Sequence, residues 1–171
     1  ENTELVIAVP DSGRTCAIKL SESAQIQYRE GLIKDRYVPR TFIMSSQKSR
    51  ETAVKRKLMP IISMLQNKSV AVVDDSIVRG TTSKKIIDAL REAGVNKITF
   101  ISSCPPITHS CHYGIDIATR KELVAADRSV EDIRQYLGAD ELIYASVSDL
   151  KAAIRRDLCT ACLTGNSPEH V

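Results

Sequence analysis

The 171 residues suffice for one domain with a buried core, and 43% apolar against 26% charged residues excludes a disordered chain. Twenty-four Lys and Arg against 21 Asp and Glu give a net charge of +3, too even to mark a nucleic-acid binder by composition. No apolar run approaches the ~18 residues of a bilayer-crossing helix, and five cysteines without a secretory leader argue for a reducing, cytoplasmic setting over a disulfide framework.

The chain opens on Glu1, and an apolar run begins at once with Leu5-Val6-Ile7-Ala8-Val9. This reads as a buried strand closed by the tight loop Pro10-Asp11-Ser12-Gly13, and the early start leads us to expect a piece of a longer protein. Helical spacing follows over residues 17–28. Residues 35–50 have no period and are interrupted by Pro39 and three serines, the signature of a long loop. Residues 51–65 can be helical with a break at Pro60. Residues 69–73 form a second buried strand, and 82–93 a helix with Ile86, Ile87 and Leu90 on one face, stopped by Gly94. A third strand is expected over 97–102, a helix over 130–137, a strand over 141–144 and a helix over 147–156. Residues 158–171 carry Cys, Gly and Pro and are expected to lack regular structure. Continuous apolar strands alternating with helices predict a doubly wound, mainly parallel α/β sheet.

Charge is unevenly placed. Between Lys34 and Lys57 eight basic residues face only Asp35 and Glu51, so this stretch carries +6 and the remainder −3. A local basic segment suits a polyanionic ligand, and equally a solvated loop.

The most informative segment is Val70-Ala71-Val72-Val73-Asp74-Asp75-Ser76-Ile77-Val78-Arg79-Gly80-Thr81-Thr82-Ser83. A buried strand delivers two adjacent carboxylates at its carboxyl end, where open α/β sheets bind ligands. The loop that follows offers free N–H groups, hydroxyls of Ser76, Thr81 and Thr82, and a helix N-terminus, which together make an anion cradle. Gly80 permits close backbone approach to a phosphate. Two carboxylates would repel that phosphate, so they must face sugar hydroxyls and a divalent cation. A ribose with a phosphate at one end and a magnesium-bound diphosphate at the other satisfies both demands.

This segment resembles the signature of the type I phosphoribosyltransferases. With Pro10-Asp11-Ser12-Gly13, Gly31-Leu32-Ile33-Lys34, Arg36-Tyr37-Val38, Arg40-Thr41-Phe42-Ile43 and Tyr113-Gly114-Ile115-Asp116, the chain from about Leu5 to Gly165 is similar to the amidophosphoribosyltransferase family. Asp35 and Pro39 depart from the family's Asn and Gly. The resemblance implies a type I phosphoribosyltransferase fold with a flexible lid loop, as a domain over residues 1–157 followed by a Cys-bearing tail, 158–171. It implies transfer of a phosphoribosyl group from phosphoribosyl pyrophosphate to ammonia, releasing pyrophosphate, at the opening of purine biosynthesis. It places Asp11, Ser12 and Gly13 on the pyrophosphate loop, with Ser12 near Mg2+. Asp74 and Asp75 take the ribose hydroxyls and Mg2+, and Ser76, Ile77, Val78, Arg79, Gly80, Thr81 and Thr82 take the 5-phosphate. Lys34, Tyr37 and Arg40 are the catalytic lid residues, and Lys57 reaches the pyrophosphate. Purine nucleotides as feedback inhibitors and a homo-oligomer are implied too, with no membrane or nucleic-acid partner. The family's glutaminase works through an N-terminal Cys; residue 1 here is Glu, so only the phosphoribosyl half is expected.

Cys159-Thr-Ala-Cys162 near the chain's end fits zinc, a redox pair or iron–sulfur. The resemblance makes Cys111, Cys159 and Cys162 three ligands of a [4Fe–4S] cluster whose fourth lies outside this chain. Zinc on the same thiols with His109 or His112 is the competing reading. Cys16 and Cys104 are expected to be buried small residues, His109 and His112 loop residues, and His170 part of the tail. Two other functions compete: a nucleobase phosphoribosyltransferase, which needs a hood over the base, and a non-catalytic sensor of phosphoribosyl pyrophosphate that binds nucleic acid. The second needs a basic patch away from the ligand site, and the −3 remainder argues against it.

Overall fold

The first strand, β1 (Leu5–Ala8), is buried on both faces and lies one strand in from the edge of a five-stranded sheet. The structure, a computed structural model, describes residues 3–34, 58–111 and 119–166. The sheet runs β2-β1-β5-β6-β7, with β2 (Gln27–Tyr28), β5 (Ser69–Asp74), β6 (Lys97–Ser102) and β7 (Glu141–Tyr144), and every neighbouring pair is parallel. The register sets Leu5 beside Val70 and Ala8 beside Val73.

Both faces are covered, which is why the central strands are continuously apolar. On one face Val6, Ala8, Ala71 and Val73 pack with Ala17 of α1 (Arg14–Ala24). Alanines at three of these five positions let the helix lie close to the sheet. On the other face Ile7, Val70, Val72, Ile98 and Phe100 meet Ile86, Ile87 and Leu90 of α3 (Thr81–Glu92) and Ile133 and Leu137 of α4 (Val130–Leu137). Short α2 (Ile62–Leu65) adds Leu65 to that core. The doubly wound parallel sheet expected from the sequence is therefore present.

A two-stranded antiparallel hairpin, β3 (Leu32–Lys34) and β4 (Leu58–Pro60), stands apart from the sheet, with Ile33 opposite Met59. Gly31 joins it to the core: a Cβ there would lie 2.7 Å from Ile7 Cγ2. Residues 35–57 between the strands hold the expected lid and fall outside the described residues.

Four local readings need correction. The helix expected over 17–28 ends at Ala24, because Gln25 turns left-handed (φ 56°) and the chain re-enters the sheet as β2. Residues 58–65 are not one helix; Leu58–Pro60 is a strand, and only Ile62–Leu65 is helical. The helix from Val147, α5, ends at Ile154 and not at 156, with Arg155 left-handed. The expected irregular tail contains a helical turn, α6 (Ala161–Thr164), which is docked by bonds from the Thr108 and His109 N–H groups to the Cys162 carbonyl, both 3.0 Å. No helix among the described residues is long and apolar enough to cross a membrane.

Candidate active site

Successive strands leave β1 in opposite directions, β2 on one side and β5 on the other. A crevice opens at the carboxyl ends where such a sheet switches direction. The loops after β1 and β5 meet there. The Val9 N–H donates to the Val73 carbonyl at 2.8 Å, and a Cβ on Gly13 would lie 2.3 Å from that same oxygen. Only glycine lets the first loop lie so close to the second.

The resulting cleft has a volume of about 1450 Å³. Ser12, Lys34, Asp74, Asp75, Ser76, Val78, Arg79, Gly80, Thr81 and Thr82 line it, together with Leu58, Met59 and Pro60 of the hairpin. Most sequence-predicted residues thus converge on one cavity from three separate segments. Gly13 is buried behind the first loop, the Ile77 side chain belongs to the hydrophobic core, and neither they nor Asp11 line the cleft. Tyr37, Arg40 and Lys57 lie outside the described residues.

The two carboxylates differ sharply in surroundings. Asp74, the last residue of β5, is only 7% exposed, and Asp75 faces solvent. Burial, reinforced by the neighbouring Asp75 charge, pushes the Asp74 carboxyl up to about 7, although the Asp75 N–H donates to its Oδ1 at 2.9 Å. Ser76 Oγ donates to Asp75 Oδ1 at 3.1 Å. Ser103, just beyond β6, clamps the turn: its N–H and Oγ donate to the Asp74 carbonyl at 3.0 and 3.2 Å.

Beyond the acids the loop climbs to Gly80, where φ is +74°. A Cβ there would also meet Tyr136 Cε1 at 3.0 Å and Val124 Cγ2 at 3.2 Å. Helix α3 then begins with no side-chain cap and no acid in its first turn. By contrast α4 and α5 both carry capping boxes, Ser129 with Asp132 and Ser146 with Asp149. The first-turn N–H groups of α3 and the exposed Thr81 and Thr82 hydroxyls are therefore available to an anion at the positive end of a helix dipole. Arg79 is held to one side by Glu122, at 2.9 Å.

Across the cleft Lys34 Nζ lies 3.1 Å from Asp11 Oδ2. Sequence reasoning missed three partners of these loops: Arg14, which pairs with Asp11 at 3.1 Å, and Glu122 and Ser103. Arg14 had a signal, since a cation in the first turn of a helix opposes the dipole and calls for nearby acids. Glu122 had none, lying 43 residues from its partner.

The acid pair and the Ser12 hydroxyl supply oxygen donors only, which suits a hard cation such as Mg2+. Among the described residues no group of three or more His, Cys, Asp or Glu side chains is close enough to hold a metal. A Mg2+ here would draw most ligands from substrate phosphates and water, its usual habit at phosphate sites.

The cysteines lie elsewhere, and none lines the cleft. Burial first, and then the nearby Cys111 and Cys159 thiols, push the Cys162 thiol up, which puts the three thiols near one another. The His109 ring engages Thr108 Oγ1 through Nδ1 at 2.8 Å, as a loop residue. Cys16 is exposed on α1, contrary to expectation, since it sits on the face turned away from the sheet; Cys104 is half-buried.

No family model matches the chain. Over 99% of its length it is 49% identical to the amidophosphoribosyltransferase of Methanocaldococcus jannaschii, of which it covers 36%. It is 47% identical to that of Bacillus subtilis, covering 37% of it. A solved structure, the glutamine phosphoribosylpyrophosphate (PRPP) amidotransferase from B. subtilis complexed with ADP and GMP, superposes with a TM-score of 0.88 at 47% identity. That match covers 98% of this chain and 38% of the other. The chain therefore spans little more than a third of the length of these relatives, and over nearly its whole length it is similar to that part of amidophosphoribosyltransferases.

Proposed function

We propose that the cleft binds phosphoribosyl pyrophosphate and transfers its phosphoribosyl group to ammonia, giving phosphoribosylamine and pyrophosphate, the first step of purine biosynthesis. The observation that carries this reading is the pairing, in one cavity, of a carboxylate pair with an uncapped helix N-terminus one turn beyond it. The 5-phosphate sits on the first turn of α3 against Thr81 and Thr82. The ribose hydroxyls face Asp74 and Asp75. The diphosphate points toward Ser12 and Lys34, whose ammonium takes up charge as the leaving group departs. Nitrogen bonds to the anomeric carbon as its bond to the diphosphate oxygen breaks, and the proton lost by nitrogen passes to solvent. When bound, Mg2+ would neutralise diphosphate charge, with Asp74, Asp75 and Ser12 oriented toward it. Tyr37, Arg40 and Lys57, the remaining residues that the resemblance implies for this chemistry, lie outside the described residues.

Purine nucleotides fit the same cavity as inhibitors, with the phosphate on the cradle and the ring against Leu58 and Met59. The B. subtilis neighbour is complexed with ADP and GMP, which supports this assignment. An iron–sulfur cluster on Cys111, Cys159 and Cys162 would lie apart from the transfer chemistry, and no step passes through it.

The test is calorimetric titration with Mg–phosphoribosyl pyrophosphate, followed by pyrophosphate release with ammonium as donor. Asp75→Asn removes an exposed charge from the proposed sugar and Mg2+ contact and is expected to weaken binding about tenfold or more. Equal affinity of the variant and the unaltered chain would remove the acid pair from the site.

A further inference from the structure

The pyrophosphate loop carries an ion-pair chain of which the transfer mechanism above uses only Lys34. Arg14, the first residue of α1, directs its Nη1 to Asp11 Oδ1 at 3.1 Å. Its other edge grips Glu30 in two bonds, Nε to Oε1 at 3.1 Å and Nη2 to Oε2 at 3.3 Å. The Tyr28 hydroxyl donates to Glu30 Oε1 at 2.8 Å, which fixes the carboxylate in turn. The other oxygen of Asp11 is held by Lys34 at 3.1 Å. Asp11 therefore sits between two cations, one tied back to the β2 edge and one on the cleft wall. Lys34 lines the cleft, and Arg14 and Asp11 do not.

An ammonium has one charge and a flexible stem, and a diphosphate is a far stronger partner for it than one carboxylate. Lys34 is thus free to turn from Asp11 to an arriving diphosphate. The guanidinium of Arg14 is fixed by its fork on Glu30 and stays. We propose that Arg14, anchored by Glu30, is a positioning residue: it holds the Asp11 carboxylate and compensates its charge, so that Lys34 can move to the diphosphate while the pyrophosphate loop keeps its shape. This rests on the phosphoribosyl pyrophosphate reading of the cleft. All four side chains are partly exposed, so the effect expected is on ligand geometry more than on fold stability.

The test compares two ligands in the full chain with Mg2+, phosphoribosyl pyrophosphate and ribose 5-phosphate, the second lacking the diphosphate. Arg14→Ala is expected to weaken the first about fivefold, the upper range for an exposed charge pair, and to leave the second unchanged. Glu30→Gln should act in the same direction, and Arg14→Lys should restore part of the loss. In an Asp11→Asn background the Arg14→Ala effect should vanish, because Arg14 acts through Asp11. Equal loss for both ligands, or a loss that persists in the Asp11→Asn background, overturns the positioning role. Tight binding of phosphoribosyl pyrophosphate that Arg14→Ala does not alter overturns it too and leaves the cleft assignment standing. If the unaltered chain binds ribose 5-phosphate but gains nothing from the diphosphate, the cleft assignment itself fails and the proposal with it.

Discussion

Asp74 contributes a pH dependence to this fold opposite in sign to that of the other shifted carboxylates. Its carboxyl is buried, and burial holds its proton up to about pH 7 in the folded chain. In the unfolded chain the proton leaves at the ordinary value, about 3.9. Between these values the folded state carries the extra proton, so this group's contribution to stability falls as pH rises through the window and levels off above it. The window spans about three pH units at about 1.4 kcal/mol each, so the ionised carboxylate costs the ligand-free fold about 4 kcal/mol at most. Asp74→Asn keeps an acceptor for the Asp75 N–H and removes the charge. Urea unfolding in chelator-treated protein should find the variant more stable than the unaltered chain by about 1–2 kcal/mol at pH 5, where about one unit of the window is already crossed, and by up to about 4 kcal/mol at pH 8. Glu4, Glu131, Asp132, Asp140 and Glu141 are all shifted the opposite way by their partners. They are common to both chains, so the difference isolates Asp74. An Asp74→Asn effect of the same size at both pH values would show that the Asp74 carboxyl does not titrate in this window.

Gly80→Ala forces a Cβ onto a left-handed backbone and against Tyr136 and Val124. It should cost about 1–2 kcal/mol in denaturant unfolding and weaken ribose 5-phosphate binding, and unchanged phosphate affinity would take Gly80 out of the cradle. The cysteines should alkylate unevenly. Burial, with help from Cys162 and Asp75, pushes the Cys104 thiol up, so Cys104 should react slowest and exposed Cys16 early; mass spectrometry of a maleimide time course reads the order, and early loss of Cys104 would contradict its burial.

The elements legible in the sequence were those whose determinants are local. β6, α4 and β7 follow the expected ranges residue for residue, because each is a short periodic run closed by its own turn signal, such as the capping box of Ser129 and Asp132 or the left-handed Gly138. The end of α1 was not legible. Ile26 and Tyr28 continue a helical spacing, and the left-handed Gln25 carries no glycine to announce the break. β4 was hidden because its partner β3 is more than twenty residues upstream and its last residue is a proline. The site divides in the same way. Its oxygen donors lie in two short stretches: residues 74–82 read as an anion cradle from their own chemistry, whereas residues 10–13 read only as a tight loop and are assigned to the pyrophosphate by the resemblance. The ion pairs that steady those loops, Arg14 with Glu30 and Arg79 with Glu122, span 16 and 43 residues and leave no local pattern. The union of the two loops into one cavity is also a long-range fact. It follows from strand order, which puts β5 beside β1 and sends β2 to the other side. It also follows from Gly13, whose missing side chain lets the first loop rest on the Val73 carbonyl at the end of β5. Any side chain at that position must push apart the loop that would hold the diphosphate and the strand end that presents Asp74, so the separation between leaving group and ribose contacts is set by packing behind the cleft and not by any residue that lines it.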